Sequence, residues 1–144
     1  MATLDVYGFD DLDSVFRDIA DIPWEVTKDA LQQMGAVMVE KVKREGESMG
    51  IRDPESDVHV LDKIALAKAK KTEGGGIQAV TFKGTRRRGR TRVRNAEIAF
   101  INEFGKRGQP ARPFMDQAMK QHEREIWEPG EERIGDWLEN EWKK

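Results

Sequence analysis

The chain has 144 residues, of which 38% are hydrophobic and 36% are charged, and it contains no cysteine. This length fits one domain, residues 1–144, and excludes a long multidomain enzyme. The absence of cysteine excludes disulfides, thiol nucleophiles and thiolate metal ligands, and no apolar run approaches the roughly 20 residues of a membrane span.

The net charge of −2 conceals a segregation of charge along the chain. Residues 1–29 hold eight acidic and two basic residues, residues 83–94 hold seven basic and no acidic residues, and residues 116–144 hold nine acidic and five basic residues. Acidic ends around a basic middle are typical of a chain that pairs with copies of itself or presents a cationic feature to a polyanion.

Two amphipathic helices are predicted before residue 50. The first has four apolar residues at the spacing of one helical face: Leu12, Val15, Phe16 and Ile19. The second begins at Pro23, a residue that a first helical turn tolerates, and carries an apolar stripe from Ala30 to Val42. Gly46 and Gly50 are expected to end it.

A β-hairpin is predicted across the glycines at 74–76, because the stretch 77–82 alternates like a strand and the stretch 64–70 is compatible with either period. The basic segment that follows, residues 83–94, is predicted to be an exposed, mobile loop, because its charges repel one another and it contains two glycines. The alternation of arginines from Arg88 to Arg94 is also compatible with a strand that presents them on one side.

Two further helices are predicted in the last third of the chain. The first ends at Gly105, and its residues Ala96, Ala99, Phe100 and Phe104 share one face, although a strand is also compatible. A turn at 106–110 leads to Pro113, which opens a helix that Pro129 and Gly130 are expected to interrupt. Residues 128–144 are interpreted as a helical extension. These elements predict an α+β fold, with N-terminal and C-terminal helices packed on a small antiparallel β-sheet and a long basic loop.

Catalytic and metal-binding chemistry find little support in the residue pattern. His59 and His122 are the two histidines, and both are interpreted as structural residues. No glycine spacing matches a phosphate-binding or dinucleotide-binding motif. We therefore expect no enzyme, no metal, no cofactor and no small-molecule substrate.

The arginine run allows two interpretations. Its members are Arg86, Arg87, Arg88, Arg90, Arg92 and Arg94. They could neutralise several phosphates and give salt-dependent binding to nucleic acid, although no aromatic residue lies between them to stack on bases. The alternative is docking on an acidic protein surface such as the chain's own ends.

Three tryptophans lie in the charged C-terminal segment: Trp127, Trp137 and Trp142. They are candidates for an interface, with a clamp that holds the last helix on its own domain as the equal alternative.

The segment from Ala96 to Ala118 resembles a known family. It combines Glu103, Phe104 and Gly105 with a Pro-Ala-Arg-Pro-Phe box formed by Pro110, Ala111, Arg112, Pro113 and Phe114. The chain is similar in these residues to the minor tail-component or neck-protein family of HK-type and lambdoid siphophages. The resemblance implies structural roles for the motif, with Gly105 ending a helix, Pro113 opening the next and Phe114 anchoring it to the core.

The resemblance also implies a function. Family members are non-enzymatic virion components that form rings between the head connector and the tail tube, around the DNA channel. We therefore expect a head–tail joining or tail-completion protein whose partners are its own copies and the adjoining head-connector, tail-terminator or tail-tube proteins. The expected location is the host cytoplasm during assembly and then the virion neck or tail, because the first residues show no secretory signal. The alternative is a small nucleic-acid-binding protein that uses the arginine segment.

Overall fold

The computed structural model describes residues 22–51, 59–73 and 75–143. These ranges contain three α-helices: α1 (Trp24–Ser48), α2 (Asn95–Phe104) and α3 (Phe114–Trp142). They also contain a 3-10 turn at Val60–Lys63 and six short strands: β1 (Ile64–Leu66), β2 (Lys70–Thr72), β3 (Gly75–Ile77), β4 (Val80–Phe82), β5 (Thr85–Arg88) and β6 (Thr91–Arg94). The described chain is therefore α+β, as predicted. The helix predicted around Phe16 lies outside the described residues.

The long helix α1 confirms the second predicted helix. Pro23 lies directly before its first residue, where a missing N–H leaves no helical hydrogen bond unmade. Gly46 lies inside the helix against Leu61, and the chain leaves the helix at Gly50, whose φ of 72° suits glycine. The buried face of α1 includes Leu31, Met34, Met38 and Val42.

Helices α1 and α3 pack closely against each other. Gly130 lies directly against Met34, so a side chain larger than hydrogen would overlap the methionine. Ile126 and Ile134 are buried one turn to either side of that contact. The predicted interruption of α3 at Pro129 and Gly130 is wrong, because the helix continues to Trp142. Burial on both sides of the proline holds the helix together despite the lost N–H.

The irregularity in α3 lies seven residues earlier, at His122. Its backbone has a φ of −123° and a ψ of 20°, which are not helical values. Among the residues that the structure describes, no helix combines the length and the apolar character of a membrane span.

The hairpin predicted across the glycines is confirmed, but it is split into two antiparallel ladders. Strand β1 pairs with β4, from Ile64 opposite Phe82 to Leu66 opposite Val80, and β2 pairs with β3, from Lys70 opposite Ile77. Between the ladders, residues 67–69 face residues 78–79, so the first strand carries one extra residue and bulges.

The basic segment is a β-hairpin rather than the predicted loop. Strands β5 and β6 pair antiparallel, from Thr85 opposite Arg94 to Arg88 opposite Thr91. Gly89, with a φ of 60°, provides the positive φ that a two-residue hairpin turn requires. The charges do not prevent pairing, because successive side chains of a strand point to opposite faces of the hairpin. The described strands therefore form three small antiparallel sheets of two strands each.

Candidate functional site

Glu103 of the sequence motif caps the first turn of α3. Its side chain is only 6% exposed, and its two carboxylate oxygens accept hydrogen bonds from the backbone N–H groups of Met115 at 2.9 Å and Asp116 at 3.0 Å. The residue before the helix, Pro113, supplies no side-chain cap. A carboxylate at a helix N-terminus satisfies N–H groups that lack helical partners and favours the positive end of the helix dipole. Glu103 therefore joins the end of α2 to the start of α3.

Arg112 of the motif connects α2 to the end of α1. Its guanidinium donates to the side-chain oxygen of Asn102 at 2.7 Å and to the backbone carbonyls of Gly50 at 3.1 Å and Met49 at 3.4 Å. Its backbone N–H donates to the carbonyl of Asn102 at 2.6 Å. The planar fork of arginine reaches several acceptors at once, which a lysine ammonium does not reproduce. Arg112 therefore satisfies carbonyls that follow α1 and holds them against α2.

Gly105 ends α2 with a φ of 77°, and its N–H donates to the carbonyl of Ile101 at 2.8 Å. A Cβ at this position would lie 2.8 Å from the backbone nitrogen of Ala111 and 2.9 Å from the carbonyl oxygen of Gln109. Neither backbone atom can move as a side chain would. Glycine is therefore required here both by the backbone angle and by the close approach of the following turn.

Phe114 carries the motif into the core. Its side chain is fully buried, and its ring meets that of Phe82 edge to face, with centroids 6.0 Å apart. Pro113 directly precedes α3, while Pro110 and Ala111 are exposed in the connection. The motif thus forms a joint between α1, α2 and α3, and its residue Phe104 is the large side chain that remains outside, at 63% exposure.

The outer face of α2 is apolar, which corrects the predicted orientation of this helix. Phe100 is 42% exposed and Phe104 63%, although the helical spacing predicts both on one face with Ala99, which is fully buried. The buried face of the helix includes the polar residues Asn102 and Glu103. Hydrogen bonds to backbone groups satisfy those polar side chains, so burying them costs little, and the phenylalanines are left outside.

We call the depression on this outer face the aromatic cleft. It has a volume of about 500 Å³ and is lined by Arg94, Ala96, Glu97, Phe100 and Ile101. The rings of Phe100 and Phe104 contact each other, with centroids 4.8 Å apart. An exposed aromatic pair at a concave surface is the kind of feature that anchors a protein interface.

One face of the arginine hairpin borders this cleft. Arg87 and Arg92 lie opposite each other on β5 and β6, and Arg94 follows Arg92 on the same side of the hairpin. All three side chains are exposed, and we call them the arginine face. The Nε of Arg94 lies 3.0 Å from a carboxylate oxygen of Glu97, so the face continues onto the wall of the cleft. Arg90 lies exposed in the turn.

Arg86 has a different environment from the arginine face. It lies on the opposite side of β5, across from Val93, and is only 9% exposed. Its Nε donates to the side-chain oxygen of Asn95 at 3.0 Å, and the Asn95 amide donates to the carbonyl of Lys83 at 2.8 Å. Of the six arginines predicted to act as one cationic group, Arg86 is therefore structural, and four others face solvent: Arg87, Arg90, Arg92 and Arg94. The alternation of side chains along a strand indicated this division only weakly. Nothing in the sequence marked Asn95 as the partner of Arg86.

The three C-terminal tryptophans are not equivalent. Trp127 and Trp137 are half-buried and pack against the core, which corresponds to the clamp alternative. Trp142 is 68% exposed at the end of α3. Of the three, only Trp142 exposes most of its side chain to solvent, as a residue that binds another protein would.

A cluster of charged side chains between α1 and α3 was not found from the sequence. His122 contacts Glu45 through Nε2 at 3.1 Å, and its Nδ1 lies 3.5 Å from Glu125. The Nζ of Lys41, a side chain that is 8% exposed, lies 2.7 Å from Glu125. The hydrogen bond from Lys41, and then that from His122, holds the pKa of Glu125 below its ordinary value of 4.5. Within the described ranges, no three acidic or histidine side chains are grouped as metal ligands.

Comparisons with known proteins leave the family of this chain open. No family model, no curated protein and no solved structure matches it. The resemblance carried by Glu103, Gly105 and the Pro-Ala-Arg-Pro-Phe box is therefore the basis for a proposal about function.

Proposed function

We propose that this chain is a structural virion component of a tailed phage or prophage, which acts at the head–tail neck or in tail completion. In this role it assembles into a ring around the DNA channel, between the head connector and the tail. The proposal combines the motif resemblance with one structural observation. Phe100 and Phe104 are exposed beside the aromatic cleft, next to the arginine face.

This surface supports assembly because it joins apolar anchors to a charged border. The motif residues hold α2 rigidly between α1 and α3, so Phe100 and Phe104 are presented on a fixed element. Rigid aromatic anchors contribute much of the binding energy at interfaces, and charged borders set orientation and the choice of partner. A stable contact between subunits needs such a surface. A small-molecule site instead needs convergent polar groups in an enclosed cavity.

Negative charge on another element, α3, supports a head-to-tail contact. Several acidic residues are exposed along α3: Glu123, Glu128, Glu131, Glu132, Asp136 and Glu139. A ring of identical subunits joins two different faces of each subunit, and opposite charges on those faces fix the order of contact. We assign these two faces to the arginine face and to the exposed acidic side chains of α3.

The test is the mass of the assembly in solution. The full chain is purified alone and together with the products of the genes that flank its own, and each sample is measured by size-exclusion chromatography with light scattering. We expect a closed oligomer of defined mass in at least one sample, with ring-shaped particles in electron micrographs. A monomer in every sample overturns the proposal.

A pair of variants links the assembly to the surface. Phe100→Ser combined with Phe104→Ser removes the exposed aromatic pair, and we expect the oligomer to dissociate at least partly while the chain stays folded. Gln32→Ser, an exposed position on α1, is the control and should leave the assembly unchanged. Equal masses for both variants would contradict a role of the aromatic pair.

The arginine face favours a second candidate function, binding to nucleic acid. Arg87, Arg92 and Arg94 share one exposed side of the hairpin, which suits contact with successive phosphates. The experiment is fluorescence anisotropy of labelled double-stranded DNA at rising salt concentration. Changing these three arginines to glutamine should lower the slope of log affinity against log salt by about one per arginine removed.

The matched control for DNA binding changes three exposed lysines of the first hairpin, Lys68, Lys70 and Lys71, to glutamine. It removes the same charge from another hairpin. If both variants lose the same affinity, binding reflects total charge and not the arginine face. Tight binding to DNA by a chain that stays monomeric with its flanking gene products would replace the assembly proposal with this second function.

A further inference from the structure

We infer that the aromatic cleft receives the acidic N-terminal segment, residues 1–21, of a neighbouring copy of this chain. The inference rests on the proposed assembly function and names the contact that would join one subunit to the next. It depends on three features: the chemistry of the cleft, the sequence of the segment, and the place of the cleft relative to the start of α1.

The cleft requires a ligand that is apolar on one side and acidic on the other. Its apolar wall consists of Ala96, Phe100 and Ile101, and at its edge Arg94 is paired with Glu97, the one acidic residue of the lining. The arginine face extends from that edge through Arg92, so its cations lie beside the apolar wall. A bound apolar side chain gains by leaving water, and a neighbouring carboxylate gains by approaching the arginines.

The N-terminal segment has this pattern in its sequence. Its apolar residues Leu12, Val15, Phe16 and Ile19 have the spacing of one helical face. Residues 1–21 also contain six acidic residues and a single basic one, Arg17, which gives a net charge of −5. An amphipathic helix that inserts its apolar face into a groove is a common mode of recognition between proteins.

The other acidic segment of the chain does not fit the cleft. Residues 116–144 belong to α3, whose apolar residues Ile126 and Ile134 are already buried against α1. What α3 exposes is mainly charged, with Trp142 at its end. It can meet the arginines but offers no apolar stripe for the cleft, which leaves residues 1–21 as the matching segment.

The position of the cleft indicates a neighbouring copy and not the same chain. Arg112 ties Asn102 of α2 to the carbonyls of Met49 and Gly50, just beyond the C-terminal end of α1. The other end of α2 is held at Asn95, which binds the carbonyl of Lys83.

Lys83 in turn connects α2 to the same end of α1. Its N–H donates to the carbonyl of Lys63, in the turn whose Leu61 lies against Gly46 of α1. Both ends of α2 are therefore tied to the C-terminal end of α1.

The distance along α1 is too long for the apolar stripe, Leu12 to Ile19, of the same chain. The 25 residues of α1 extend about 37 Å at the usual rise per residue. Residues between Ile19 and Trp24 can span at most about 17 Å, and the helix predicted over 12–19 would add about 10 Å. A second copy has no such limit, and its contact with a different face of the first copy is the kind that closes a ring.

Cysteine cross-linking tests the contact directly, because the natural chain contains no cysteine. One full-length variant carries Phe16→Cys and another carries Phe100→Cys, and the two are mixed and oxidised with diamide. We expect a disulfide-linked dimer that contains one chain of each variant. Val15→Cys with Phe104→Cys is a second pair, in case one substitution prevents folding.

The control pairs Phe16→Cys with Gln32→Cys, an exposed position on α1, and should give little cross-linked dimer. Adding Arg92→Glu to the Phe100→Cys chain should slow cross-linking about fivefold, as expected for loss of about 1 kcal/mol of charge attraction. A chain that carries both cysteines and closes a disulfide within itself overturns the inference. So does equal cross-linking to Gln32→Cys.

Light scattering on the unmodified chain distinguishes failure of this inference from failure of the proposed assembly function. If oligomers form but neither cysteine pair cross-links, the inference fails and the assembly function stands. If the chain remains monomeric with its flanking gene products and no pair cross-links, both are wrong.

Discussion

The carboxylate of Glu103 accepts a hydrogen bond at 2.9 Å from the backbone N–H of Met115, twelve residues further along the chain. The same carboxylate accepts a second bond from Asp116 at 3.0 Å. The glutamate at the end of one helix therefore does what a serine or aspartate usually does directly before a helix. This arrangement explains why the residues on both sides of the turn at 106–110 act as one motif.

Replacing this cap should destabilise the chain. Glu103→Ala leaves two N–H groups of α3 without their acceptors, so we expect the free energy of unfolding to fall by about 1–3 kcal/mol. Urea unfolding followed by circular dichroism measures the change. Glu123→Ala, an exposed position on α3, is the control and should change stability by no more than about 0.5 kcal/mol. Equal losses for the two variants would show that Glu103 is not a cap.

The two phenylalanines of the motif should behave in opposite ways. Phe114 is fully buried, so Phe114→Ala should lower the free energy of unfolding by about 3–5 kcal/mol. Phe104 is 63% exposed, and Phe104→Ala should lower it by no more than about 0.5 kcal/mol while weakening assembly. Urea unfolding of both variants gives the comparison. A large loss for Phe104→Ala would place its side chain in the core.

The elements that the sequence predicted correctly are those with one dominant local signal. Helix α1 has a long apolar stripe that starts at a proline, and the first hairpin has strand-like residues next to glycines. Gly105 was predicted to end α2, and its φ of 77° fits that role. In each case the local preference of the residues agrees with the packing around them.

The errors lie where tertiary contacts outweigh local preference. Pro129 breaks most helices, but burial of Ile126 and Ile134 keeps α3 continuous. The two phenylalanines of the stripe predicted to be the core face of α2 lie outside, although Ala99 of the same stripe is buried, because Asn102 and Glu103 find hydrogen-bond partners beyond the helix. Those partners lie ten and twelve residues further along the chain, so the helical periodicity of α2 does not reveal them.

Stability should depend on pH through the pair of Lys41 and Glu125. The hydrogen bond from Lys41 lowers the pKa of Glu125 below 4.5 in the folded chain. A lowered folded-state pKa contributes stability above the unfolded value, and this contribution is lost as the pH falls through the lowered value. We therefore expect Lys41→Met to cost more stability near neutral pH than below the ordinary pKa of glutamate.

Urea unfolding at a series of pH values checks this dependence. Lys43→Met is the control, because Lys43 is half-exposed and lies 3.5 Å from Asp62, an equally exposed partner. Its effect should be small and nearly constant with pH. A cost for Lys41→Met that does not shrink on acidification would mean that the lysine acts only by filling space.

Two arginines of the second hairpin distinguish a folded hairpin from a charged loop. Arg86 is 9% exposed and donates to Asn95, which is itself 1% exposed, whereas Arg92 is exposed on the arginine face. Both variants, Arg86→Met and Arg92→Met, remove one positive charge and keep a flexible apolar stem. In a mobile loop the two substitutions would have the same effect on stability, because repulsion among the charges depends on their number and not on their side of a strand.

If the strands are paired, the two variants should differ in stability, because Arg86→Met takes a charged donor away from the buried amide of Asn95. We expect a loss of about 1–3 kcal/mol for Arg86→Met and a change within about 0.5 kcal/mol for Arg92→Met, measured by urea unfolding. DNA or partner binding should follow the reverse order, since Arg92 faces solvent and Arg86 does not. If both variants unfold like the natural chain, residues 85–94 are not held as a hairpin, and the arginine face loses its fixed position beside the aromatic cleft.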